Sequence, residues 1–223
     1  MKKTKSTTLV IIMSGLLTTT TLLAQTSDLF SKVTGGDIQA VKELIASGAD
    51  INQLSENGNT PLIVACLYKQ TEIAKYLINS GADVNVIAKD GNTALLISAS
   101  YSKELIELLL SKNADITVRT EDAGVFTNCI TGILAGRIPV GIAEMLLCEG
   151  ADIDEECFAD YAYGYTPLMM AANWDNEELI RFLIRNGANV NVRARDGHTP
   201  LTRAEKNGNP DIIKILKDNG AEK

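Results

Sequence analysis

The chain is poor in the residues that do chemistry. It has one histidine, one tryptophan and four cysteines in 223 residues, and its aromatic share is 5%. The histidine, His198, stands in a Gly-His-Thr-Pro turn open to almost any side chain and reads as a solvated turn residue, so no serine–histidine–aspartate constellation can be assembled. Cys66, Cys129, Cys148 and Cys157 are separated by 63, 19 and 9 residues, which matches no zinc pattern. No phosphate loop, His-Glu-x-x-His or calcium-loop pattern occurs. The carboxylates are spread along the chain with no evident acid/base pair, so no enzyme activity, metal or cofactor is expected. Basic excess is absent too: 21 Lys and Arg face 28 Asp and Glu, a net charge of −7. That argues against nucleic-acid binding, which needs a basic face. A mean hydropathy of +0.04 with 17 Gly and 5 Pro is ordinary globular composition, neither disordered nor collagen-like.

Long apolar runs are missing as well. The longest candidate is Leu9 to Leu17, preceded by Lys2, Lys3 and Lys5 and followed by four threonines and Leu22-Leu-Ala24. A basic start, a short apolar middle and a small residue at the end read as a secretory signal peptide over residues 1–24, cleaved after Ala24. A retained anchor is the rival reading, but the run is too short to span a bilayer. Cleavage removes three lysines and no acid, taking the net charge from −7 to −10 for residues 25–223. The expected product is exported, most simply to a bacterial periplasm, with no membrane attachment after cleavage.

What is present is a repeat. One phrase recurs as Gly48-Ala-Asp50, Gly81-Ala-Asp83, Asn113-Ala-Asp115, Gly150-Ala-Asp152, Gly187-Ala-Asn189 and Gly220-Ala-Glu222, at spacings of 33, 32, 37, 37 and 33. A second recurs as Gly58-Asn-Thr-Pro-Leu62, Gly91-Asn-Thr-Ala-Leu95, Gly164-Tyr-Thr-Pro-Leu168 and Gly197-His-Thr-Pro-Leu201, with a weak copy at Val125-Phe-Thr-Asn-Cys129. Thr60-Pro61, Thr166-Pro167 and Thr199-Pro200 each pair a capping hydroxyl with a proline suited to the first helical position. Small residues such as Ala65 and Ala171-Ala172 then keep a first helix thin. A second helix follows, apolar at helical spacing (Ile73, Tyr76-Leu77; Leu179-Ile180, Leu183-Ile184), and stops at the glycine of the first phrase. Neither helix buries a core alone, so stability has to come from stacking.

These phrases, in register over residues 28 to 223, resemble the ankyrin repeat, whose unit of about 33 residues is a turn followed by two antiparallel helices. The resemblance implies an all-α solenoid of about six helix–turn–helix units with short β-turn or hairpin tips. Their bounds are about 28–54, 55–88, 89–120, 121–160, 161–194 and 195–223, within a domain covering 25–223. The first unit lacks its opening turn and reads as a cap, as does the sixth with its polar second helix. The fourth is irregular, with two extra residues in its helical part and about four in its exit loop, Asp154 to Tyr163.

The resemblance further implies a non-catalytic module that holds a protein partner on a concave face made of turn tips and first-helix ends. Carried over by position, these are Glu56, Asn57, Asn59, Leu67 and Tyr68; Lys89, Asp90, Asn92, Ser100 and Tyr101; Ala162, Tyr163, Tyr165, Asn173 and Trp174; and Arg195, Asp196, His198, Lys206 and Asn207. Tyr68, Tyr101 and Trp174 each fall eight residues after their capping threonine, so they occupy one register and suit an interface, with partial core packing as the alternative. Tyr161, Tyr163 and Tyr165 cluster before the fifth unit, in an acidic and aromatic loop that is either a second contact surface or a tolerated insertion. Cys66 reads as a core thiol. Cys129, Cys148 and Cys157 all lie in the irregular unit, and one disulfide among them is open in an oxidising compartment, its pairing undecided. A monomer is expected. By analogy, the partner is a periplasmic enzyme such as a catalase, a secreted toxin to which the chain gives immunity, or a host protein met by a secreted effector.

Overall fold

A computed structural model describes residues 28–158 and 164–222. The expected signal segment and the loop residues 159–163 lie outside that range. Among the described residues the regular structure is helical, with two isolated β-bridges and no strand. The chain divides into two compact bodies, Met1–Asp83 and Val84–Lys223.

The first body holds α1 (residues 28–35), α2 (Ile38–Ala46), α3 (Pro61–Leu67) and α4 (Thr71–Asn79). The start of α3 follows from its sequence: Oγ1 of Thr60 accepts the Ile63 amide at 3.2 Å, and Pro61 fills the first turn where no amide is needed. Every residue from Pro61 to Cys66 is buried, whereas α4 buries only Ile73, Ala74, Leu77 and Ile78. The first helix is therefore core throughout, and the second is amphipathic. Asn52 ties this body's last turn down, its Oδ1 accepting the Asp83 amide at 2.9 Å.

The second body repeats the pattern four times, as α5 (Ala94–Ser98) with α6 (Lys103–Leu110), α7 (Val125–Leu134) with α8 (Gly141–Cys148), α9 (Pro167–Asn173) with α10 (Glu177–Arg185), and α11 (Pro200–Asn207) with α12 (Pro210–Asp218). Thr93 and Thr199 cap as expected, the latter in a full capping box with Thr202. Thr166 does not. Its backbone is extended like the others, but its hydroxyl caps no amide and lies buried without a partner among the described residues. Asn113, the one copy of the first phrase without glycine, still takes the left-handed conformation at φ 59°, which asparagine tolerates better than other side chains.

Unit four departs from expectation at the start of its first helix. Thr127 stands at the register of the capping threonines, but α7 begins three residues earlier than a cap there would start it, behind Gly124, which has no side chain to offer. The cap comes instead from the exit loop: Oε2 of Glu155 accepts the Thr127 amide at 2.9 Å. A Cβ on residue 124 would collide with that carboxylate, so glycine is what admits it. The loop's extra length is also localised. Regular tips close over four residues, with Ser55 N bonded to Asn59 O, Ala88 N to Asn92 O and Ala194 N to His198 O, whereas Cys157 N reaches Tyr165 O over eight. Four extra residues thus lie inside one tip, whose base is fixed by Phe158 N to Asp122 O at 2.7 Å and Arg119 Nη2 to Glu156 O at 3.2 Å.

No disulfide joins Cys129, Cys148 and Cys157. Cys129 is fully buried on α7, and burial pushes its thiol up to about 12, so the reactive thiolate is suppressed. Cys148 is exposed at the end of α8, and Cys157 is held in the bridge to Tyr165.

Candidate partner-binding face

The expected contact residues divide by exposure. In the first body, Leu67 and Tyr68 end α3 with 43% and 59% of their surfaces in solvent. An apolar side chain left this open on a helix end is available for contact. Lys69 follows in the left-handed region at φ 55°, turning the chain sharply and leaving Tyr68 at the corner. Asn59, in the tip, is half-buried: its amide is held by Ser55 Oγ at 3.1 Å, and its Oδ1 is buried without a partner among the described residues.

In the second body, Trp174 caps the C-terminus of α9 and is the most exposed large apolar side chain among the described residues, at 65%. Asp175 follows at φ 52°, the same corner as at Lys69. Asn173 is exposed, and its carbonyl accepts Asn207 Nδ2 at 2.8 Å, which fixes the end of α9 against the end of α11. Tyr101, at the same register, is only half-exposed. Asn92 is committed to its own turn, its Nδ2 donating to Asp90 Oδ2 at 2.8 Å, and these bonds hold the Asp90 carboxyl below its ordinary value.

Tyr165 turns inward. Its ring is 6% exposed, and its hydroxyl donates to Asp196 Oδ2 at 2.8 Å. The Arg203 guanidinium stacks over that ring at 4.4 Å and pairs with the same carboxylate at 2.6 Å. Tyr165 is thus a brace between the last two units, because a buried tyrosine needs a partner for its hydroxyl and Asp196 supplies one. Burial lowers the Arg203 pKa from its ordinary value, and Asp196 and the tyrosine face compensate its charge. His198 sits at the rim of this cluster, Nδ1 3.3 Å from Thr202 Oγ1 and Nε2 4.0 Å from Asp196. Tyr163 lies outside the described residues.

Sequence reasoning missed the Tyr165–Asp196–Arg203 cluster. Its signal was Arg203 itself, a charge at a register that Val64 and Met170 fill with buried apolar side chains. It also missed Leu54 and Ile87, each six residues before its capping threonine and 62% and 56% exposed. Among the described residues no cluster of His, Cys, Asp and Glu could hold a metal ion, and no helix is long and apolar enough to cross a membrane.

Helix pairs with buried first helices, repeated one after another, define a helical repeat scaffold. The chain belongs to the ankyrin repeat family: the family description "Ankyrin repeats (3 copies)" matches residues 29–120 and 134–223. The unmatched stretch between them holds Gly124 and most of α7, where unit four departs from the repeat. The crystal structure of the human ASB11 ankyrin repeat domain is similar at a TM-score of 0.70 and 28% identity, over 87% of this chain and 84% of that one. Among curated proteins, the Caenorhabditis elegans ankyrin repeat and KH domain-containing protein mask-1 is 32% identical over 74% of this chain. The Mus musculus ankyrin repeat and SAM domain-containing protein 6 is 31% identical over 32% of it. The matches span only 5% and 8% of those two proteins. What is shared is the repeat, a protein–protein interaction module whose fold is typically non-catalytic.

Proposed function

We propose that this chain is an exported, monomeric scaffold that holds one protein partner through its turn tips and first-helix ends. The observation that carries the reading is the pair Tyr68 and Trp174. Each is the C-cap of a first helix, each is more than half exposed, and each is followed by a non-glycine residue in the left-handed region. Aromatic anchors of this kind dominate the energetics of protein interfaces, and unfavourable backbone conformations cluster at functional sites. Export is favoured by the basic start and short apolar run of residues 2–17, and a periplasmic enzyme such as a catalase is then a partner class within reach.

The test is a paired capture from native extract, followed by affinity measurement on the protein captured. One bait is residues 25–223; the other carries Tyr68→Ala and Trp174→Ala together, with circular dichroism confirming its helix content. Loss of two anchors should weaken binding by at least about thirtyfold. Equal binding by both baits would sink the proposal. Cell fractionation tests export: a cytosolic protein with residues 1–24 intact would overturn it.

A further inference from the structure

Several successive units are joined by a side chain that bridges one exit turn to the next. In the second body, Asn85 Oδ1 accepts the Asp115 amide at 2.8 Å while its Nδ2 donates to the Asn113 carbonyl at 3.0 Å. Asn191 does the same, accepting from the Glu222 amide at 2.7 Å and donating to the Gly220 carbonyl at 3.0 Å. Each of these two asparagines thus makes a two-way clasp, acceptor to one amide and donor to the carbonyl two residues before it, whereas Asn52 in the first body shows the acceptor half.

Asp154 holds this place at the joint between units four and five. Both its oxygens crowd one donor, the Asn189 amide, at 3.1 and 3.2 Å. A carboxylate has no hydrogen to give, so the donor half of the clasp, toward the Gly187 carbonyl that stands where Asn113 and Gly220 stand, is not made. We propose that this joint is a proton-operated clasp: on protonation Asp154 donates to Gly187 as the asparagines do, and acid tightens the fourth unit onto the fifth.

The electrostatic surroundings agree. Burial holds the Asp154 carboxyl above its ordinary value, the Asn189 amide offsets part of that, and Asp152 adds repulsion. Among the described residues Asp152 is the charged group that acts on it, and its Oδ1 accepts the Asp154 amide at 3.0 Å. From the facing turn come the neutral Asn189 and Asn191, and the neighbouring Glu155 is engaged with Thr127. The sign is opposite to that of an ordinary paired aspartate. With its folded-state pKa raised, Asp154 binds its proton more tightly in the folded chain, so its contribution to stability grows as pH falls through that value. The rest of the chain follows the usual acid loss, so the effect is read as a difference between variants.

Asp154→Asn installs the permanent clasp. Urea unfolding, followed by Trp174 fluorescence, and amide exchange at Asn189 should be measured on both proteins at about pH 7 and about pH 3, on either side of the ordinary carboxylate values. At the higher pH the variant should have the higher midpoint, with Asn189 protection about fivefold greater, the worth of one neutral hydrogen bond. At the lower pH the two should converge. Asp154→Ala, with neither acceptor nor donor, should lose Asn189 protection at both. Equal stability of wild type and Asp154→Asn at neutral pH, a gap that does not close in acid, or Asn189 protection in Asp154→Ala equal to that of the wild type would each overturn the clasp.

Discussion

The start of α3 and the start of α7 solve one problem in different ways. Both must satisfy amides that the helix cannot. At α3 the solution is local, Thr60 capping Ile63 three residues on. At α7 it arrives from a distance, Glu155 capping Thr127 across 28 residues of chain. A locally capped helix carries its start signal wherever it goes. A helix capped by another segment starts properly only when that segment is docked. Unit four has therefore given up autonomy, and its exit loop is part of its helix. This is a reason to read the loop base as structure and not as a tolerated surface insertion.

The sharpest way to break the comparison is at Gly132. Five residues after the threonine, the regular units place Ala65, Ala171 and Ala204, all fully buried. Gly132→Ala restores that repeat residue, yet its methyl would stand 2.7 Å from the Ser100 carbonyl oxygen and 2.9 Å from its carbon, both backbone atoms. We expect a loss of about 2–3 kcal/mol, the cost of overpacking against something that cannot move aside, measured by urea unfolding. No loss would mean that α7 sits further from unit three than the structure has it.

Next in size is the remote cap. Glu155→Ala should cost about 1.5 kcal/mol, the lower end for a hydrogen bond to a charged group, since this carboxylate is partly exposed. Gly124→Ser should also destabilise the wild-type chain, because its Cβ meets the Glu155 carboxylate. In the Glu155→Ala background the same serine should recover about 1 kcal/mol as a local cap. That reversal of sign is the measurement: additive losses in the double mutant would show that Glu155 is not acting as the cap.

The contrast also explains what could be read from the sequence. Regular units were legible because their signals are local: Thr60-Pro61 and Thr199-Pro200 each specify a helix start within four residues, and Ala65 and Ala204 specify close packing. Tyr68 and Trp174 were legible for the same reason, since counting from the capping threonine places both at the exposed end of a buried first helix. Unit four was not, because its cap and its close contact come from residues 28 or more positions away in sequence. Tyr165 failed on similar grounds. Its register matches Asn59 and Asn92 in the tips, but its partners Asp196 and Arg203 belong to the next unit, and they draw it inward.

The smallest expected effect separates two threonines that the sequence treats alike. Thr60 and Thr166 both precede Pro-Leu, both are buried, and both have extended backbones with ψ near 165° and 163°. Only Thr60 caps. Thr60→Val, which keeps the shape and deletes the hydroxyl, should cost about 1 kcal/mol, since the Ile63 amide loses its acceptor. Thr166→Val removes a buried hydroxyl that bonds to nothing among the described residues, so it should be neutral or stabilise by about 0.5 kcal/mol. The two helices begin with the same residues, but the tip ahead of Thr166 carries four extra residues and the tip ahead of Thr60 is regular. A loss at Thr166 as large as at Thr60 would mean that its hydroxyl caps Met169 in solution and that unit five begins as unit two does. Opposite signs would show that lengthening a tip by four residues is enough to disengage the cap behind it while leaving the helix in place.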